Sequence, residues 1–234
     1  MLAMLSLAVY GIILSGWASR NRFTLLGGMR GAAQLISYEV ALGLSLIGII
    51  MVFPSLSLQE IVRFQGENLL GFIPRWGVLL QPLGFLVFFF AALAETKRVP
   101  FDMPEGESEI IGFFTEYGGL KWGLFMMTDF MEIIVVSALL TTLFFGGWQV
   151  PWLAADGFHW PWGGIWALPH GVVVLLQLLS FNVKIIFFCW LQILIRWTYP
   201  RFRYDQVMNM GWKLLIPLSL INIVGTGVVM GLLK

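Results

Sequence analysis

Residues 94–116 read AETKRVPFDMPEGESEIIGFFTE and separate two long apolar runs. They hold Glu95, Asp102, Glu105, Glu107, Glu109 and Glu116, nearly half of the chain's 13 acidic residues. A carboxylate costs about 2.5–3.5 kcal/mol at the centre of a spanning helix, so acids this dense beside apolar helices call for a use. Lys97 and Arg98 supply local counter-charge, and Pro100 and Pro104 interrupt helical hydrogen bonding between the runs.

The surrounding composition is that of a membrane core. Of 234 residues, 59% are hydrophobic and 12% charged, against about 25% charged in a soluble domain. The apolar residues fall in runs near the roughly 20 residues that cross a bilayer. The sequence therefore predicts an all-α, polytopic integral membrane helix bundle forming a single transmembrane domain over 1–234. About six spanning helices are expected, near 1–18, 31–53, 77–96, 117–146, 169–195 and 211–233. The acidic loop 97–116 lies between the third and fourth. The apolar run starts at Met1 with no basic residue before Arg20, unlike a signal peptide.

The linkers alternate in character. Segment 19–30 carries Arg20, Arg22 and Arg30, and segment 196–205, RWTYPRFRYD, is basic. Segment 54–76 is mixed and partly amphipathic, which suits the membrane surface. Segment 147–168 has no Lys or Arg and holds Trp148, Trp152, Trp160, Trp162 and Trp166. The positive-inside rule places the first, third and fifth linkers on the cytoplasmic side and the Trp-rich linker outside, as an interfacial anchor. The basic segment reads as a topogenic anchor, or as a grip on a protein partner or lipid phosphates. Gly225, Gly227 and Gly231 suit close helix packing, because no strand precedes them to make a phosphate loop.

Net charge of +1 gives no argument for nucleic acid. Cys189 stands alone and cannot hold an iron–sulfur cluster by itself. His159 and His170 are too few for a convincing haem or zinc site. No metal site is expected, and any redox centre serving this chain belongs to another.

Several ionisable residues fall inside expected spans, where function is the default reading. Glu39 is alone in the second, either functional, or near the cytoplasmic surface and there solvated or paired with Arg30. Lys121, Thr128, Asp129 and Glu132 follow one face of the fourth. Two carboxylates three residues apart can hold and pass protons, or form a salt bridge with Lys121 or Lys184. Lys184 lies midway along the fifth span, on a face with Gln177 and Ser180, and is expected to pair with acids on a facing helix. The run from Pro104 to Glu109 resembles the first turn of a short helix, where acids suit the dipole.

Three runs carry a resemblance: GWASRNRFTLLGGMRGAAQLISYE (16–39), AETKRVPFDMPEGESE with EYGGLKWGLF (within 94–125), and RWTYPRFRYDQVM with GWKLLIP (within 196–217). Together they resemble the H subunit of bacterial NADH-quinone oxidoreductase, respiratory complex I, equivalent to mitochondrial NADH dehydrogenase subunit 1. Members of that family have about eight spanning helices, so the resemblance implies a chain lacking the first two and the cytoplasmic loop between them. Asp129 stands where the family pattern leads one to expect Glu.

The resemblance implies a subunit that forms most of the quinone tunnel and begins an acidic proton-coupling path. Glu39, Asp102, Glu105, Glu107, Glu109, Glu116 and Glu132 become candidates for that path, beside Asp129 and Lys184. Lys97, Arg98 and Phe101 become candidates for the quinone loop. Quinone is then the substrate, with iron–sulfur clusters and FMN on partner subunits. The partners implied are the peripheral-arm and neighbouring membrane subunits of complex I, and lipid. The location implied is the inner membrane of a bacterium rather than of a mitochondrion. A homologous subunit of a membrane-bound hydrogenase is the near alternative. A stand-alone proton-coupled transporter would show inverted repeats, and a purely structural anchor would not need the intramembrane charges.

Overall fold

A computed structural model of the chain describes residues 6–67, 74–104, 106, 112–154, 157–159 and 164–232. Among these described residues, four helices are long and apolar enough to cross a membrane: α2 (Arg22–Val52), α6 (Leu120–Phe144), α7 (His170–Thr198) and α8 (Tyr204–Leu232). Two shorter apolar helices, α1 (Ala8–Ala18) and α5 (Pro82–Glu95), complete the all-α membrane bundle.

Helix α2 begins well before the span expected from residue 31. The Asn21 backbone is extended, and its side chain accepts the Phe23 N–H at 3.0 Å, which starts the helix at Arg22. A helix of 31 residues rises about 46 Å, whereas the apolar layer is about 30 Å thick. The first turns therefore project beyond that layer, and Arg22 and Arg30 belong to helix rather than linker. Helix α1 packs on this end of α2. A Cβ on Gly16 would lie 2.9 Å from the Thr24 carbonyl oxygen, and one on Gly28 3.1 Å from that of Ile12. Only glycine lets the two backbones approach so closely.

The segment after it turns a short helix, α3 (Leu58–Gln65), with Ile61 and Val62 inward and Glu60 and Arg63 outward. The expected third span comes in two pieces. Helix α4 (Gly77–Leu80) stops at Gln81, whose φ of −134° and ψ of 59° are not helical, and α5 starts at Pro82. Proline disfavours helical geometry in the residue before it, which accounts for the break.

Helices α6 and α7 pack together, and α8 crosses α2 and α5. Between α6 and α7, the Trp-rich linker carries a small antiparallel sheet: β1 (Leu153–Ala154), β2 (Gly157–His159) and β3 (Ile165–Ala167). Trp160 and Trp162 lie outside the described residues.

The main core gathers where α2, α5 and α6 meet, around Tyr38, Ile49, Phe88, Ala91, Leu140 and Phe144. Large apolar side chains also cover the outside of α7 and α8, among them Leu178, Ile186, Ile221 and Val224. A water-soluble monomer rarely exposes such a surface, whereas lipid accepts it. The C-terminal glycines depart from the expected close packing. A Cβ on Gly225 or Gly231 meets nothing within 4 Å, and one on Gly227 touches only the Met51 methyl, at 3.4 Å.

Candidate functional site

The chain leaves α5 at Glu95 and turns at once. Lys97 has φ of +52°, a left-handed conformation that costs a non-glycine residue roughly 1–2 kcal/mol. The turn folds Lys97 back against α6. Its Nζ lies 3.4 Å from Asp129 Oδ1 and 3.3 Å from Glu132 Oε2, with each side chain less than a tenth exposed. Burial alone would lower the Lys97 pKa, but the two carboxylates more than offset it and hold the ammonium above its ordinary value. Lys97 is therefore a fixed cation at neutral pH.

Two more carboxylates complete the cluster. Glu95, at the end of α5, interacts electrostatically with Glu132, with Glu39 on α2 and with Lys97. Three helices thus bring acids to one end of the bundle. Sequence reasoning leaves Glu95 out of the candidates, because it reads as the mere end of a span.

The loop after Lys97 is held from both sides. The Gln34 amide, fully buried on α2, donates to the carbonyls of Ala94 and Phe101, each at 2.7 Å. Phe101 is buried between the rings of Tyr38 and Phe202, at 5.6 and 5.5 Å. The Tyr38 hydroxyl donates to the Val207 carbonyl at 2.8 Å, and the Phe202 N–H to that of Pro100 at 3.1 Å. The basic segment that contains Phe202 thus docks on the acidic loop. A Cβ on Gly106 would lie 1.6 Å from Arg201 Nη2, so the guanidinium uses the space that glycine leaves.

Arg98 turns the other way. Its guanidinium lies over the Phe130 ring at 4.9 Å, and its Nε and Nη2 are buried without a hydrogen-bond partner among the described residues. It lines a mostly apolar cavity of about 220 Å³ with Leu93, Phe130, Cys189, Gln192 and Arg196. Gln192 donates to Ser137 Oγ at 2.9 Å, but its own buried Oε1 has no partner among the described residues. Arg98, Gln192 and Arg196 thus bring polar side chains to the wall of an otherwise apolar cavity.

Several expectations change here. Asp129 and Glu132 pair with Lys97 from the loop, not with Lys121 or Lys184. Lys121 and Thr128 share their helix but are exposed, on the side of its first turns away from Phe125, which packs on Phe113, Phe114 and Tyr117. Lys184 pairs with no acid among the described residues. Its Nζ donates to the carbonyls of Phe145, Gly147 and Gln149 at 2.8, 3.0 and 2.8 Å, beyond the far end of α6. Gly146 and Gly147, with φ of +70° and +53°, supply the left-handed turn behind those carbonyls. Glu116 is exposed and accepts from Asn21 Nδ2 at 2.6 Å, beside the cap of α2. Asp102 is half-buried in the clamped loop. Glu105, Glu107 and Glu109 lie outside the described residues, as does nearly all of the short helix expected there.

The family described as NADH dehydrogenase matches residues 1–227. The chain is 42% identical over 226 residues to the NADH-quinone oxidoreductase H subunit 1 of Cytophaga hutchinsonii, covering 96% of this chain and 61% of that protein. It is 46% identical over 232 residues to the NADH-quinone oxidoreductase H subunit of Thermomicrobium roseum, covering 97% and 62%. With NADH-quinone oxidoreductase subunit 8 of Rhodothermus marinus it shares 44% over 229 residues, covering 95% and 64%. The chain spans about three-fifths of the length of these relatives. A match along nearly all of its length, in a bundle of the expected class, makes the chain a member of the NADH dehydrogenase family, among relatives named as the H subunit of NADH-quinone oxidoreductase.

Proposed function

We propose that this chain works as a membrane subunit of a proton-pumping NADH-quinone oxidoreductase in a bacterial inner membrane. It forms part of the quinone-binding cavity and the first acids of the proton-coupling path. The observation that carries this reading is adjacency. The Arg98 cavity lies beside the buried group Lys97, Asp129 and Glu132, with Glu95 and Glu39 behind it.

Reducing a quinone to a quinol takes two electrons and two protons, and negative charge develops on the head-group oxygens. Electrons come from an iron–sulfur cluster on a neighbouring subunit, with FMN further upstream. This chain's own residues bind and orient the head and move protons. Arg98 and Arg196 put positive charge on the cavity wall for a quinone oxygen, and Phe130, Leu93 and Ile134 supply apolar surface for the flat head. Lys97 fixes a positive charge between two carboxylates, so charge appearing in the cavity shifts the balance at Asp129 and Glu132. Glu95 and Glu39 extend the group toward α2, and we assign Asp102, with Glu105, Glu107 and Glu109 of the same acidic stretch of sequence, to the same path. Phe101, packed on Tyr38, sets the position of the loop itself.

The test is Arg98→Leu in the complex purified from native membranes, with NADH-to-quinone electron transfer and proton uptake both measured. The KM for quinone should rise about tenfold, the loss of one hydrogen bond to a charged group, with assembly intact. An unchanged KM would refute the quinone role of this cavity. Recovery of the chain with a nickel–iron hydrogenase module, rather than with flavin subunits, would assign the same site to a different electron source.

A further inference from the structure

At the opposite end of α5 from the acidic loop, the break at Gln81 opens a cleft of about 480 Å³ against α8. We infer that this cleft is a binding site for one phospholipid with a zwitterionic, primary-amine head group of the phosphatidylethanolamine type.

The lining is graded along the membrane normal. Arg75 stands at the mouth, beside Val52, Val229 and Met230. Further in come the side-chain amides of Gln81 and Asn222. Gln81 Nε2 donates to Thr226 Oγ1 at 2.6 Å, and Asn222 Nδ2 donates to Gln81 Oε1 at 2.8 Å. Leu83 and Ile221 lie deeper. From Met230 back to Ile221, α8 descends about 13 Å. A glycerophospholipid has the same order of parts: a charged head, ester carbonyls one turn deeper, then an acyl chain. The Gln81 and Asn222 amides each keep one N–H beyond the bonds just named, which suits the ester carbonyls.

The mouth selects the head group. Glu67 does not line the cleft itself, but Arg75, which does, holds Nη1 3.4 Å from Glu67 Oε2, with the two side chains 36% and 63% exposed. Guanidinium and carboxylate here are surface-exposed and loosely paired, which is a weak interaction by itself. Side by side they match a zwitterion: the phosphate on the Arg75 fork and the ammonium on Glu67. An anionic head without an amine would meet the Glu67 charge unpaired. The chain groove is open beside Gly225, where a Cβ would meet nothing within 4 Å.

The experiment uses the complex in native-like nanodiscs. Its probes are phosphatidylethanolamine and phosphatidylglycerol, each with an acyl-chain diazirine. Crosslinks are mapped by mass spectrometry and normalised to those on the exposed face of α7. The phosphatidylethanolamine probe should label residues 221–230 about tenfold more than the phosphatidylglycerol probe, the scale of one charge-assisted contact. Glu67→Gln should remove that preference while labelling persists. Gly225→Leu, which fills open space and disturbs no packing, should lower labelling by both probes. Inorganic phosphate should not compete. Equal labelling by the two probes, insensitive to Gly225→Leu, would reduce the cleft to ordinary lipid-facing surface and overturn the inference. Absence of any label at 221–230 would mean that protein covers the cleft, and would overturn it as well.

Discussion

Replacing Lys97 with Met leaves Asp129 and Glu132 buried, one helical turn apart, with their shared counter-ion gone. The wild-type ammonium sits 3.4 and 3.3 Å from the two oxygens, and all three side chains are less than a tenth exposed. Breaking a buried pair from one side costs about 3–5 kcal/mol, because a charge is left uncompensated. Methionine keeps most of the side-chain volume, so the loss is of charge rather than packing. For a chain of this length, 1 kcal/mol moves the melting point by about 2–4 °C, which predicts a drop of about 6–20 °C. The assay is thermal unfolding in detergent, followed by size-exclusion recovery. Asp129→Asn with Glu132→Gln added to Lys97→Met should restore most of the loss, since no bare charge remains. The pH dependence has a definite sign. The folded Lys97 pKa is raised, so its stabilisation is fully present below its unfolded value of about 10.4 and is lost only as pH rises through the higher folded value. Wild-type stability should therefore stay level through neutral pH as far as this group is concerned, and fall in strong alkali. A Lys97→Met protein that melts within a degree of wild type would mean that the three charges are solvated rather than buried and paired.

Lys184→Met should act as a structural defect. It leaves three carbonyls without their donor, costs about 1–3 kcal/mol, and should lower electron transfer and proton yield equally; loss of proton yield alone would return Lys184 to the coupling path. Gln34→Leu should loosen the acidic loop by freeing the Ala94 and Phe101 carbonyls, at a similar cost of about 1–3 kcal/mol. Faster amide hydrogen exchange over 96–104, with the rest of the bundle unchanged, is the expected readout. Glu105→Gln, in the assembled complex, should lower quinone reduction or its coupling to pumping while assembly persists, and unchanged turnover with unchanged proton yield would remove it from the path.

Much of the bundle is legible in the sequence because membrane physics writes strong signals. Apolar runs mark the helices, and the acid-rich, proline-broken stretch marks where three of them converge. The partners of the charges are not legible, for a physical reason. Helical periodicity shows which residues share a face, so it offers Lys121 for Asp129 and Glu132, and a facing helix offers Lys184. The true partner, Lys97, lies 32 positions away from Asp129 and reaches it only through a left-handed turn that no propensity favours. Lys184 fails as an ion-pair partner for a related reason: its acceptors are backbone carbonyls, which every residue carries and no sequence advertises. The one hint is the adjacent Gly146 and Gly147 pair after an apolar helix. Pro82 is a readable signal for the break between α4 and α5, but an otherwise apolar run masks it. Each of these departures falls where the chain leaves regular helix. There the backbone decides which charge meets which, and it does so by committing residues such as Lys97 to conformations that persist only because the resulting contacts outweigh their local cost.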